Sequence, residues 1–112
     1  MTRAYCPKRG DVVWLSFAPQ AGHEQSGHRP ALTLSPEAYN DKVGLAIFCP
    51  ITTQIKGYPF EVKLSGQPVS VALADQVRSF DWRSRKAVPK GRATQDEMNE
   101  IRAKLHALID QA

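Results

Sequence analysis

Six short apolar runs, broken by Gly, Pro, Ser and Asn, occupy residues 12–80. None reaches the roughly 10–12 residues at which a buried helix becomes the competing reading. "VVWLSF" (12–17) sets Val13, Leu15 and Phe17 against Trp14 and Ser16, the two-residue period of a half-buried strand. "PALTLS" (30–35) repeats it with Leu32 and Leu34, and "PFEVKL" (59–64) with Phe60, Val62 and Leu64. "VGLAIFCPI" (43–51) is apolar on both sides, as a central strand is, and "VSVAL" (69–73) and "QVRSF" (76–80) complete the series. Strands this short and this closely spaced must hide their unpaired edges. The pattern therefore predicts a mainly β chain folded as a small antiparallel barrel.

The C-terminal segment follows another period. "TQDE" (94–97) is a capping box, in which Thr94 and Glu97 satisfy each other's backbone N–H. Met98, Ile101, Leu105, Leu108 and Ile109 then share one helical face, predicting a helix laid against the barrel. "FDWRSR" (80–85) allows a short helical turn. No repeat or linker divides the 112 residues, so a single domain over 1–112 is expected.

Fifteen Lys and Arg against eleven Asp and Glu give a net charge of +4, which suits an anionic partner without requiring one. Cys6 and Cys49 form no CxxC and have no companions at ligand spacing, so neither a structural zinc nor any other metal or cofactor is expected. The N-terminal "MTRAYCPKRG" lacks an apolar secretory core, and no run approaches a membrane span of about 18 residues. The expectation is a reduced, cytoplasmic chain. GxSxG, Walker and HExxH motifs are missing, which removes three common hydrolase classes.

Three polar stretches remain. "EQSGHRP" (24–30) gathers carboxylate, amide, hydroxyl, imidazole and guanidinium at the start of an apolar run, and reads as a glycine-hinged loop. Arg29 offers a planar fork matched to phosphate oxygens, or alternatively an ion pair with Glu24 or Asp75. His23 and His28 can exchange a proton near neutrality, or simply be solvated. In "CPITTQIKGYPF" (49–60) the Thr52 and Thr53 hydroxyls and the Gln54 amide can bond a phosphate or cap the turn. Lys56 and Tyr58 pair a charge with a stacking face suited to unpaired bases. Asp75 and Gln76 close a strand. From 78 to 92 six basic residues stand against Asp81, among them Arg78, Arg83, Arg85 and Lys86, as either a phosphate track or a solvated face.

Taken together, "GDVVWLSFAPQAGHEQSGHRPALTLSP", "CPITTQIKGYPFEVKLSG" and "VALADQVRSFDWRSR" resemble, in order and spacing, the MazF/PemK family of toxin endoribonucleases. The resemblance runs from Tyr5 to the C-terminal helix. It implies an SH3-like, CcdB/PemK-like barrel with a C-terminal helix, working as a homodimer. It also implies metal-independent cleavage of single-stranded RNA, chiefly mRNA, leaving 2′,3′-cyclic phosphate and 5′-hydroxyl ends and so inhibiting translation. A MazE-like antitoxin is the implied partner. The family's core catalytic positions fall on Arg29 and Thr52, with Glu24 and His23 at further activity positions. His28, Thr53, Gln54, Lys56, Tyr58, Asp75, Gln76, Arg78, Arg83, Arg85 and Lys86 are the implied RNA-binding set. The chain departs from the PemK-like branch at Leu73, where that branch carries arginine. A guanidinium with a pKa above about 12 is a poor proton donor, so Arg29 is expected to clamp charge rather than deliver a proton. The base is left among Glu24, His23 and Thr52. Two rival classes are a CcdB-like gyrase poison and a non-catalytic single-strand RNA-binding barrel.

Overall fold

Among the described residues, two-residue alternation gives seven strands, and two helices join them. The structure is a computed structural model and describes residues 5–17 and 27–110. The strands are β1 (Asp11–Phe17), β2 (Gly27–Thr33), β3 (Leu45–Thr52), β4 (Glu61–Leu64), β5 (Ser70–Leu73), β6 (Arg78–Asp81) and β7 (Val88–Arg92). Helix α1 (Glu37–Val43) lies between β2 and β3, and α2 (Gln95–Asp110) closes the chain. All recorded pairings are antiparallel, in the order β4-β5-β3-β2-β1-β7, with β6 also on β3. β3 is the hub. It pairs with β2 on one side, while its first half takes β6 and its end takes β5 on the other. The sheet thus curls into a half-barrel.

Period-two alternation gives the sheet two apolar faces. On one, Leu32, Cys49, Val62, Leu64, Ala72 and Ala74 meet Met98 and Ile101 of α2. On the other, Val13, Leu15, Ala31, Ala46 and Phe48 pack with Cys6 and Trp82, and Phe17 and Phe80 form the lip of that cluster. Burial pushes the Cys49 thiol up to about 12, so it stays protonated at neutral pH, and both cysteines are buried and unbridged.

The capping box predicted at 94–97 is present: Glu97 N–H donates to the Thr94 hydroxyl (3.1 Å) and Thr94 N–H to the Glu97 carboxylate (2.8 Å). The other Glu97 oxygen accepts Ser65 N–H at 2.6 Å, tying the helix to the end of β4. Partial burial opposes ionisation of Glu97, but these N–H donors outweigh it and hold the carboxyl below its ordinary value. The apolar stripe is buried only in its first half. Met98 and Ile101 are covered, whereas Leu108 and Ile109 remain 48% and 70% exposed.

Two expectations need correction. β2 begins at Gly27 rather than Pro30, so His28 and Arg29 belong to a strand and not to a loop. Helix α1, apart from its last residue Val43, and strand β7 lie outside the six predicted runs. The short helical turn expected at 80–85 is present as one turn after β6: Arg85 N–H donates to the Asp81 carbonyl (3.1 Å), and the Asp81 carboxylate accepts the N–H groups of Arg83 (3.0 Å) and Ser84 (2.9 Å). Trp82, inside the basic run, is buried at 3% exposure and donates Nε1–H to the Asn40 carbonyl. No helix among the described residues is long and apolar enough to cross a membrane.

Candidate functional site

Two prolines open the sheet beside Arg29. The β2–β3 register runs Thr33↔Phe48, Leu32↔Cys49, Ala31↔Pro50, and no pair between these strands is recorded beyond it. Proline has no N–H for the ladder. Pro50 stands at the last pair and Pro30 is the next residue along β2, so the strands part there. Pro30 also confines Arg29 to extended backbone. Carried two residues further, the same register sets Arg29 across from Thr52. A fork therefore lies between a guanidinium on β2 and a hydroxyl at the end of β3.

The hydroxyl is oriented. Thr52 Oγ accepts Gln54 N–H at 3.1 Å, which caps the turn and leaves the threonine proton free to donate outward. The loop that follows is tied from below. The Glu61 carboxylate accepts the N–H groups of Lys56 (2.9 Å) and Gly57 (3.0 Å), with Gly57 at φ +78°. Tyr58 donates its hydroxyl proton to Asp75. That hydrogen bond, with some burial, raises the Tyr58 pKa above the ordinary tyrosine value. The second Asp75 carboxylate oxygen is buried without a hydrogen-bond partner among the described residues. Thr52, Gln54, Lys56, Tyr58 and Gln76 all line one cleft of about 440 Å³. Thr52 also rims a second cleft of about 310 Å³, shared with Trp14, Pro30, Ile51 and Thr53.

Arg29 itself is exposed and lies 5.7 Å from the centroid of the Phe17 ring. Arg85 sits 4.5 Å from the same ring and 5.2 Å from Phe80, and Arg78 sits 5.1 Å from Phe80. The two rings meet edge-to-face, with centroids 5.5 Å apart at 83°. Among the described residues none of these three arginines has a carboxylate partner. The alternative of an Arg29–Asp75 ion pair is thereby removed, since Asp75 is bonded to Tyr58 instead.

Other expected positions fall elsewhere. Arg83 stacks on Trp82 at 4.3 Å and pairs with Asp41 at 3.5 Å, which leaves it structurally engaged. His28 is exposed on β2, opposite Ser16. Lys86 occupies the turn before β7, at φ +53°. His23 and Glu24 lie outside the described residues. Sequence reasoning passed over Phe17, Phe80 and Glu61. No spacing rule joins Phe17 to Phe80, but "KGYPFE" did carry a signal for Glu61, a carboxylate four residues beyond a glycine turn.

The chain matches the family model of the PemK-like, MazF-like toxins of type II toxin–antitoxin systems over residues 8–109. It is 53% identical over 110 residues to the endoribonuclease toxin MazF of Escherichia coli strain K12, covering 97% of this chain and 99% of that one. To the endoribonuclease toxin ChpB of the same strain it is 34% identical, covering 92% and 94%. Among solved structures, a MazE–MazF crystal structure from Deinococcus radiodurans superposes with a TM-score of 0.90 at 52% identity, over 96% of this chain and 99% of that one.

Proposed function

The chain belongs to the PemK-like, MazF-like toxins and is a MazF-like endoribonuclease toxin; from that premise we propose that it cuts single-stranded RNA at the β2–β3 fork. The observation that carries this placement is the end of the β2–β3 ladder, with an arginine on one arm that has no carboxylate partner among the described residues and, on the other, a hydroxyl held by Gln54 N–H.

The reaction has three demands. The ribose 2′-hydroxyl must lose its proton, the crowded phosphorane oxygens must be neutralised, and the departing 5′-oxygen must gain a proton. Arg29 meets the second, as a guanidinium that stays charged throughout. Thr52 donates to a phosphoryl oxygen beside it, with its own oxygen already fixed by Gln54 N–H. The base is drawn from Glu24, His23 and Thr52. The base takes the 2′-hydroxyl proton, and the 2′-oxygen forms its bond to phosphorus as the P–O5′ bond breaks. The departing O5′ takes a proton from the protonated base or from water, leaving a 2′,3′-cyclic phosphate and a 5′-hydroxyl with no step assigned to a metal or cofactor.

The cleft beyond Thr52 receives a base next to the cut, with Tyr58 supplying a ring face and Gln54, Gln76 and Lys56 supplying polar edges. Arg78 and Arg85 track the neighbouring phosphates. Arg83 is left out of that track because Asp41 and Trp82 already hold it. We further propose that the whole chain is one toxin domain that acts on mRNA in the cytoplasm as a homodimer. Its inhibitor is a MazE-like antitoxin, as the antitoxin-bound structural relative suggests.

The test is cleavage of a long single-stranded RNA in EDTA by wild type and Arg29→Ala, with the 5′ ends mapped. Discrete cuts with 5′-hydroxyls are expected, and a loss of about a thousandfold or more in the variant without change in its unfolding midpoint. Cleavage that stops on chelation, or an Arg29→Ala enzyme that still cuts, would sink the assignment.

A further inference from the structure

An exposed arginine ordinarily samples many rotamers, and immobilising it when substrate binds costs free energy that then subtracts from catalysis. Arg29 is not placed that way. Its guanidinium lies over the face of Phe17, whose ring is wedged against Phe80 and the second apolar cluster. Phe17 pairs with Gly27 at the end of the β1–β2 ladder, and Arg29 pairs with Leu15, so ring and guanidinium issue from the same face of adjacent strands. The ring is also shared. Arg85 lies over it, and its backbone is bolted to β1, with Ser16 N–H donating to the Arg85 carbonyl at 2.7 Å. A weakly hydrated guanidinium over an aromatic face keeps its outward N–H groups open while its plane is fixed.

We infer that Phe17 is a positioning residue for Arg29: its ring fixes the guanidinium plane against the scissile phosphate, while Phe80 carries the arginines that hold the flanking phosphates. The inference rests on the function proposed above and adds a division of labour between two rings. One serves the chemical step; the other serves binding. Phe17 touches no reacting atom, so its effect on the chemical step passes through Arg29, while Arg85, which lies over both rings, keeps the Phe80 face when the Phe17 ring is removed.

The experiment measures kcat and KM on a short single-stranded RNA bearing one mapped cut, using Phe17→Leu, Phe17→Tyr and Phe80→Leu, with unfolding midpoints recorded alongside. Phe17→Leu removes the ring, so kcat is expected to fall about tenfold or more with KM within about twofold. Phe17→Tyr keeps the face and is expected to restore wild-type kcat. Phe80→Leu is expected to raise KM about 2- to 5-fold and leave kcat in place. Because Phe17→Leu also trims the lip of a core cluster, the wild-type protein supplies an independent reading. The Arg29 side-chain resonances should show an upfield ring-current shift in the RNA-free protein. An unchanged kcat in Phe17→Leu, a tyrosine variant as slow as the leucine one, or unshifted Arg29 resonances each overturn the inference. If Arg29→Ala is dead while Phe17→Leu is fully active, the inference alone fails. If wild type cuts no RNA, the functional reading fails with it.

Discussion

Arg92 and Arg29 leave the two strands that flank β1, β7 and β2, and meet opposite fates. Arg92 pairs with Asp11, whose side chain is only 9% exposed and which also accepts the Tyr5 hydroxyl (2.5 Å) and Lys8 N–H (3.1 Å). Burial, and then the bond to Asp11, pushes the Tyr5 hydroxyl well above the ordinary tyrosine pKa. That corner is closed: the Arg92 guanidinium and the buried Asp11 carboxylate answer each other, and the N-terminal segment is stitched to β7. Around Phe17 and Phe80 the chain does the reverse, placing Arg29, Arg78 and Arg85 on aromatic faces with no acid among the described residues. Arginine alone therefore says nothing about role. What separates a rivet from a binding group is whether the fold supplies the counter-charge or leaves it to a ligand.

Breaking the closed corner should give the largest effect on stability. Asp11→Ala strips Tyr5, Lys8 and Arg92 of one shared acceptor and is expected to lower unfolding free energy by about 3 kcal/mol, read from urea midpoints. RNA cleavage per folded molecule should stay within a few-fold of wild type. A large loss of cleavage with intact stability would erase the distinction between the two regions.

The open region should answer in salt rather than in stability. Arg85→Gln is expected to shift the unfolding midpoint very little while lowering the slope of log affinity against log salt by about 0.7, the loss of one phosphate contact on a single strand. An unchanged slope would mean that Arg85, though unpaired, meets no phosphate.

Glu97 offers the smallest and most pH-specific test, because its counterparts are backbone N–H groups. Its folded carboxyl is held below the ordinary 4.5, so its contribution is complete above that value and fades as pH falls through the folded one. Glu97→Gln should therefore cost less than about 1 kcal/mol at pH 7, given its partial exposure, and the gap to wild type should narrow as pH falls below the ordinary carboxylate value. A gap that persists in acid would show that hydrogen bonds matter here and charge does not.

The strand core was readable because period two is a local signal, and the capping box because all its members lie within four residues. The first turn of α1 carried readable marks as well, with Glu37 after Pro36, Lys42 in the last turn and Gly44 at φ +83° just past the end. Strand β7 carried none. "VPKGR" holds a proline and a glycine and extends only because β1 pairs with it. For the proposed site, motif resemblance supplied Arg29 and Thr52, whereas their placement near each other comes from a register between strands 19 residues apart at its last pair, Ala31↔Pro50, two residues short of both. The phenylalanines under the arginines come from positions 17 and 80, and only the folded sheet brings them into contact. Trp82 misleads in the opposite direction, since an aromatic inside a basic run suggests base stacking and instead fills the core.

The bond from Ser16 to Arg85, and the pairing of β1 with residues 88–92, also set a clock. Arg29 and Thr52 are made early, but the Phe17 ring beside Arg29 sits on a strand whose outer edge pairs with β7, and β7 is made later. A nascent chain that has reached residue 52 but not residue 88 therefore carries both side chains while β1 still lacks that pairing.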